Sequence, residues 1–353
     1  MKKVGIITFY LNHNYGTTLQ CYALKKTIEA MGDYEVIIIP YSFVDRIENG
    51  FGGGELSRKY DCRINAFSHF LRETIGCKLP NISVLNNENV PACDYYVIGS
   101  DTVWNTVQTN NDEVFFGSFA DENTKLIAYA PSLGVNDPEK TLNKSIFDKY
   151  IDKFYALSVR EKSDINFLKQ FTDKEIYSVI DPTLLADREC YENIAESGPQ
   201  EKYILVYLIY DTTEYIEYIM NLANRIARKK KMKIYHFIYN IPDYVLGDIG
   251  ETFSFASPEQ FLGLVKNAGL VFTNSYHGTI FSIIYQKKFY SVCRKDSSKK
   301  VRELLEMLGL KDRILKPGLD INDFEADIDY EKVEASIAIE RQKSMEYLIR
   351  SLI

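Results

Sequence analysis

LVFTNSYHGTIFS, Leu270 to Ser282, is the stretch on which the fold turns. Leu270, Val271 and Phe272 form an apolar run of strand length, Asn274 to Gly278 carries turn-forming residue types, and Thr279 to Tyr285 returns to the apolar pattern of a buried helix. A buried strand feeding directly into a buried helix is the repeating unit of a parallel α/β sheet, where ligands collect at the carboxyl ends of the strands. His277, one of only four histidines, stands at that junction. The unpaired N–H groups of a helix start and its macrodipole attract phosphate or carboxylate, and an imidazole moves a proton near neutral pH. His277 and Gly278 therefore read either as parts of an anion site or as a helix start capped without a ligand.

The same strand–helix alternation extends on both sides. Downstream of residue 200 the pattern predicts strands at Tyr203 to Tyr210, Lys233 to Ile238, Leu270 to Thr273 and Phe289 to Cys293. Helices are predicted at Thr213 to Lys230, Pro258 to Asn267, Thr279 to Gln286 and Lys300 to Leu308, with Ser257-Pro258-Glu259 a good helix start. Upstream, strands are expected at Val4 to Phe9, Glu35 to Pro40, Tyr95 to Gly99, Leu126 to Ala130, Phe154 to Val159 and Ile176 to Ile180, and helices at Thr17 to Met31, Lys140 to Lys149 and Ser163 to Phe171. Between Ser42 and Pro91 the alternation breaks down; FGGGE at Phe51 to Glu55 reads as a hinge before a helix around Ile64 to Thr74, and the segment as an insertion. A polar stretch with Ser197, Gly198 and Pro199 marks a boundary between domains. The resulting expectation is an α/β protein of two Rossmann-like domains, residues 1–190 (with the insertion at 42–91) and 200–325. An amphipathic tail helix at 330–353, with Val333, Ile337, Met345, Leu348 and Leu352 near one face, should pack back on the first domain.

Length and composition agree with two domains in 353 residues, 46% hydrophobic and 26% charged. No apolar run is long enough to span a bilayer, and the Met-Lys-Lys start leads into a strand rather than a cleavable signal. Six cysteines without close spacing argue against a zinc site or a disulfide framework, so reduced thiols in the cytoplasm are expected. A net charge of −7 disfavours nucleic acid as a partner. The basic run Arg225 to Lys233 reads either as a solvated helix end or as a peripheral contact with the inner face of an acidic membrane. The 26 tyrosines offer either stacking faces for a sugar or half-buried packing.

Polar residues recur at the other strand ends. After the first strand, Asn14, Tyr15 and Gly16 form a turn into a helix whose start is open to a ligand, although one glycine is not a dinucleotide fingerprint. After the third strand, Asp101 and the only tryptophan, Trp104, are either a carboxylate and an aromatic face for a sugar, or a helix cap and a core residue. Arg160 follows the fifth strand, where its planar fork can hold an anion or pair with Glu161 or Asp181; Asp181-Pro182-Thr183 reads as a turn. Arg294, Lys299 and Lys300 lie beyond the strand at Phe289 to Cys293.

Together, NYGTTLQCYAL from Asn14, GSDTVWN from Gly99, YAPSLG from Tyr129, SVRE from Ser158, DPTLL from Asp181 and NSYHGTIFS from Asn274 resemble the polysaccharide pyruvyl transferase family, from about Val4 to Leu310. The resemblance implies a glycosyltransferase-B-like pair of Rossmann-like domains facing across a cleft, the first on the acceptor side and the second on the donor side. It implies transfer of a pyruvyl group from phosphoenolpyruvate, a co-substrate, to a hydroxyl pair on a saccharide of a cell-surface polysaccharide precursor, forming a ketal, with no cofactor and no metal. The acceptor is free or lipid-linked. Catalytic roles fall to His277, Arg160 and Asp101, and donor binding to Arg160, Ser275, His277, Gly278, Lys300 and Arg294. Acceptor binding falls to Asn14, Tyr15, Gly16, Asp101 and Trp104. Some members carry arginine two residues before the histidine; Ser275 occupies that position here, leaving Arg294 or Lys299 to supply the missing cation. Two other readings use the same scaffold: a glycosyltransferase taking a nucleotide sugar, and a non-catalytic carbohydrate-binding or assembly protein.

Overall fold

The amino-terminal strand forms because Val4, Ile6 and Ile7 need cover on both sides, and a parallel sheet supplies it. A computed structural model of the protein describes residues 1–10, 14–41, 55–78, 82–209, 212–239, 249–253, 256–293, 298–316, 324 and 326–353. It divides into two compact units, Met1–Gly52 with Phe67–Asp187 and Ile337–Ile353, and Gly53–Ala66 with Arg188–Ser336.

In the first unit, β1 (Lys2–Ile7), β2 (Tyr34–Ile38), β3 (Tyr95–Ile98) and β4 (Lys125–Ala128) form a parallel sheet in the order β2-β1-β3-β4. The parallel pair β5 (Leu157–Val159) and β6 (Ile176–Ser178) carries it further, because Ala156 bridges Ile127 beside β4. The chain reverses direction across the sheet between β1 and β3, which makes their carboxyl ends the switch point. Helices α1 (Tyr15–Ala30), α3 (Pro138–Thr141), α4 (Lys144–Tyr150), α5 (Ile165–Leu168) and α6 (Pro182–Leu185) belong to the first unit, whereas α2 (Glu55–Phe70) falls in the second unit as far as Ala66 and in the first from Phe67. The expected helix at Lys140 to Lys149 is two helices, because Leu142 is extended and Asn143 starts afresh as a cap for the Ser145 N–H. The helix expected at Ser163 to Phe171 shrinks to a 3-10 turn and the short α5.

The stretch expected to be an insertion ends as core. Phe67, Phe70 and Leu71 are fully buried; Phe67 packs on Tyr15 and Phe70 on Tyr22, and α2 continues as a π-helical turn to Ile75 before Gly76 stops it at φ 71°. The hinge glycines at 52–54 lie outside the described residues.

In the second unit the strands are β7 (Tyr203–Ile209), β8 (Lys233–Tyr239), β9 (Glu251–Thr252), β10 (Leu270–Thr273) and β11 (Phe289–Ser291). All are parallel, in the order β11-β10-β7-β8-β9, so the switch point lies between β7 and β10. Helices α7 (Arg188–Glu192), α8 (Thr213–Lys230), α9 (Pro258–Asn267), α10 (Tyr276–Ile284) and α11 (Ser298–Met307) accompany them. The capping box of Ser257 and Gln260 with Pro258 starts α9 at the residue the sequence indicates.

The last helix, α12 (Tyr330–Ser351), buries Val333, Ile337, Leu348 and Leu352. Its final turns are tied to the first unit by polar contacts. Tyr347 donates to the Ala128 carbonyl at 2.7 Å, the Ile180 N–H donates to Ser344 Oγ at 3.0 Å, and Arg341 Nε donates to the Leu184 carbonyl at 3.0 Å.

Candidate functional site

Each unit gathers buried polar side chains at its own switch point. In the first, Gln20 on α1 organises the end of β1: its Nε2 donates to Thr8 Oγ1 at 2.9 Å and to the Phe9 and Thr17 carbonyls at 3.0 Å. Thr8 Oγ1 in turn donates to the Ser100 carbonyl at the end of β3. Asp101 follows in left-handed backbone, φ 66°, with Oδ1 accepting from its neighbour Thr102 N–H and Oδ2 accepting from Thr17 Oγ1, both at 2.8 Å. Its carboxylate is thus held against the first turn of α1, and the residue as a whole is 8% exposed. Gly99 is required beside it: at φ 113°, a Cβ there would lie 2.3 Å from the Tyr129 carbonyl oxygen.

The cluster continues across β4 to β6. Ser100 Oγ donates to the Ala130 carbonyl at 2.8 Å, and Ser158 Oγ, which donates to the Ala128 carbonyl, accepts the Ala130 N–H. Arg160 lies at the end of β5 with its side chain 2% exposed. Nη1 donates to Asp181 Oδ2 at 2.8 Å and Nε to Glu161 Oε1 at 3.0 Å. Asp181 Oδ1 also accepts from the Thr183 N–H and hydroxyl, so the residue expected in a plain turn caps α6 and anchors Arg160. Burial, with the Asp181 carboxylate adding to it, pushes the Tyr129 phenol well above its ordinary range, and it stays a donor to the Ile180 carbonyl.

At the second switch point, Asn274 grips the end of β7 with both ends of its amide: Oδ1 accepts the Ile209 N–H and Nδ2 donates to the Ile209 carbonyl, each at 2.7 Å. Ser275 is the N-cap of α10, its Oγ accepting the Gly278 N–H at 3.2 Å. The helix therefore starts at Tyr276 rather than Thr279, and His277 belongs to its first turn instead of the turn before it. His277 is 6% exposed, its ring 5.3 Å from that of Tyr276. Thr279 Oγ1 lies 2.7 Å from Ser291 Oγ on β11, tying α10 to the neighbouring strand. Gly278 is demanded by packing, since a Cβ would meet Thr273 Oγ1 at 2.3 Å and Tyr207 Cδ1 at 2.7 Å.

Of the residues singled out from sequence, Asp101 and His277 occupy switch points, Asp101 in the first unit and His277 in the second, with Ser275 and Gly278 beside His277. Three others are structural. Trp104 is fully buried, stacked 5.9 Å from Phe116 and edge-on to Phe154, its Nε1 donating to the Phe115 carbonyl; an indole so enclosed offers no face to a sugar. Tyr15 is buried against Phe67. Asn14 caps α1 by accepting the Gly16 N–H at 3.0 Å, which closes the helix start that was expected to be open. Lys300 lies in the first turn of α11, half-buried, two residues after the helix begins at Ser298. Arg294 lies outside the described residues. Thr8, Thr17 and Gln20 were missed. The available signal was Gln20 itself, a polar side chain in the otherwise apolar run LQCYAL.

Comparison of the fold with solved structures places it among GT-B proteins. S. aureus MnaA in complex with UDP matches 98% of this chain and 90% of its own at 11% identity and a TM-score of 0.54. The Neisseria meningitidis UDP-GlcNAc 2-epimerase bound to UDP-GlcNAc matches 99% of this chain and 100% of its own at 7% identity and 0.53. The Methanocaldococcus jannaschii UDP-GlcNAc 2-epimerase matches 99% of each at 16% identity and 0.51. No curated relative matches the sequence. The model of the family described as polysaccharide pyruvyl transferase matches residues 14–294, and the chain belongs to that family, as a transferase on a GT-B-like α/β scaffold.

Proposed function

We propose that the protein transfers the pyruvyl group of phosphoenolpyruvate to a pair of hydroxyls on a saccharide precursor of a cell-surface polysaccharide. In this reaction the donor's methylene carbon gains a proton and one sugar oxygen bonds to its C2. The second sugar oxygen then displaces phosphate from C2 to close the ketal. Of the two hydroxyl protons released, one balances the new methyl group and the other leaves with phosphate.

The observation that carries the proposal is His277, buried in the first turn of α10 at the switch point of the second unit. Helix N–H groups there oppose the negative charge of a donor phosphate, and the imidazole passes a proton either to the methylene carbon or to the departing phosphate. Asp101 serves the acceptor: the carboxylate that accepts from Thr17 Oγ1 can accept from a sugar hydroxyl in the same way. Arg160 is already matched by Asp181 and Glu161, so its part is to position the ends of β5 and β6, and Ser275, Lys300 and Arg294 remain as the other donor contacts.

Thermal unfolding with millimolar phosphoenolpyruvate tests the reading, since a ligand held by the folded state alone raises Tm. A rise in Tm with phosphoenolpyruvate, lost in His277→Ala, is expected. No rise would overturn the donor assignment, and a rise only with UDP-GlcNAc would replace it with a nucleotide-sugar transferase.

A further inference from the structure

Away from both switch points, the first unit carries a recess of about 420 Å³ between the loop after β3 and the start of α4, lined by Thr106, Val107, Asn110, Asn111, Thr141, Leu142 and Asn143. We infer that this recess is a binding subsite for a neutral saccharide unit of the acceptor.

The lining selects the chemical class. Three amides and two hydroxyls line the recess, the Asn143 amide engaged at both ends by Asn111 Oδ1 and the Ser145 N–H, and no ionisable side chain is among them, so nothing there rewards a phosphate or a carboxylate. Val107, an aliphatic side chain 64% exposed at the wall, matches the C–H face of a sugar ring, while the amides match its hydroxyls. The volume lies within the range of about 300–1,000 Å³ usual for small-molecule sites.

The recess is also preorganised, which lowers the entropy cost of binding. The Asn111 N–H donates to the Thr106 carbonyl at 2.7 Å, the Thr109 hydroxyl to the Asn105 carbonyl at 3.0 Å, and the Asn143 N–H to Thr106 Oγ1 at 2.9 Å. Asn110 and Asn111 are held in left-handed backbone at φ 52° and 60°, a conformation asparagine tolerates better than most residues. Asn143 Nδ2 donates to Asn111 Oδ1 at 3.0 Å, which turns the Asn111 amide so that its Nδ2 has no protein acceptor among the described residues. The loop begins at Asp101, so the subsite shares its scaffold with the candidate acceptor carboxylate.

The inference rests on the proposed function only for the supply of a saccharide, and its test needs no donor. The chain is applied to an array of neutral oligosaccharides of glucose, galactose, mannose and N-acetylhexosamines, with uronate-containing and phosphorylated glycans alongside. Expected is retention of one or more neutral glycans, reduced about tenfold or more in Val107→Asp and in Asn111→Asp, with Tm and any phosphoenolpyruvate-induced shift unchanged. Retention of no neutral glycan, or equal retention by both variants, would overturn the inference. A glycan signal that behaves as expected without any phosphoenolpyruvate shift would keep the subsite and remove the donor.

Discussion

Arg160 shows how a residue marked for chemistry is also held by the fold. Its guanidinium faces two carboxylates, Asp181 and Glu161, in an environment where all three side chains are at most 4% exposed. Removing the cation strands buried negative charge, so Arg160→Ala should lower unfolding free energy by about 3–5 kcal/mol in a urea titration. A loss under about 1 kcal/mol, the range of exposed ion pairs, would contradict the buried geometry. Gly278 makes the complementary case, a residue next to His277 whose identity is set by packing. Gly278→Ala drives a methyl into Thr273 Oγ1 and the Tyr207 ring and should cost about 1–3 kcal/mol by the same measurement. An unchanged midpoint would show that α10 and β10 have room the structure does not give them.

Among the elements, α12 couples sequence far apart in the chain. Its apolar stripe was plain from spacing, but the contacts that fix its register are polar: Ser344 accepts the Ile180 N–H beside Asp181, and Tyr347 donates to β4. Ser344→Ala leaves the Ile180 N–H buried without its acceptor and should destabilise by about 1–3 kcal/mol, read as a fall in Tm. Tyr347→Phe removes a donor instead of an acceptor. α1 and α10 share another device, an Asx or Ser cap at the strand end, Asn14 and Ser275, that sets where each helix begins. Those caps moved both helix starts earlier than apolar periodicity indicates, because a cap acts through backbone N–H groups that a hydrophobic pattern does not register.

At the scale of the whole molecule, stability against pH depends on the few carboxyl groups that folding removes from water. Asp112 is one: burial raises its pKa above the usual carboxylate value, partly opposed by the hydrogen bonds from Tyr41 and the Val114 N–H. A raised folded value means the folded state binds the proton more tightly, so its contribution is complete below about 3.8 and is lost as pH rises through the folded value. Wild type should therefore gain stability relative to Asp112→Asn as pH falls from 7 to about 3, measured as the difference in unfolding midpoint. A difference that stays flat or reverses would contradict the shift. The two-unit division follows the same logic of burial, one core centred on Trp104, Phe116 and Phe147 and the other on Ile204, Val206 and Phe272. The amino-acid sequence by itself determined the parallel α/β class, most strands to within a few residues, the family, and the station of His277 at a strand end, because apolar runs and turn residues act locally. Only the tertiary structure decided that Trp104 and Tyr15 are core, that residues from Phe67 onward complete the first unit, that Asp181 neutralises Arg160, and that Gln20 and Thr17 hold the loop bearing Asp101. Those outcomes depend on which distant side chains come to share one dry space, and hydrogen-bond pairing across such a space leaves no period in the chain.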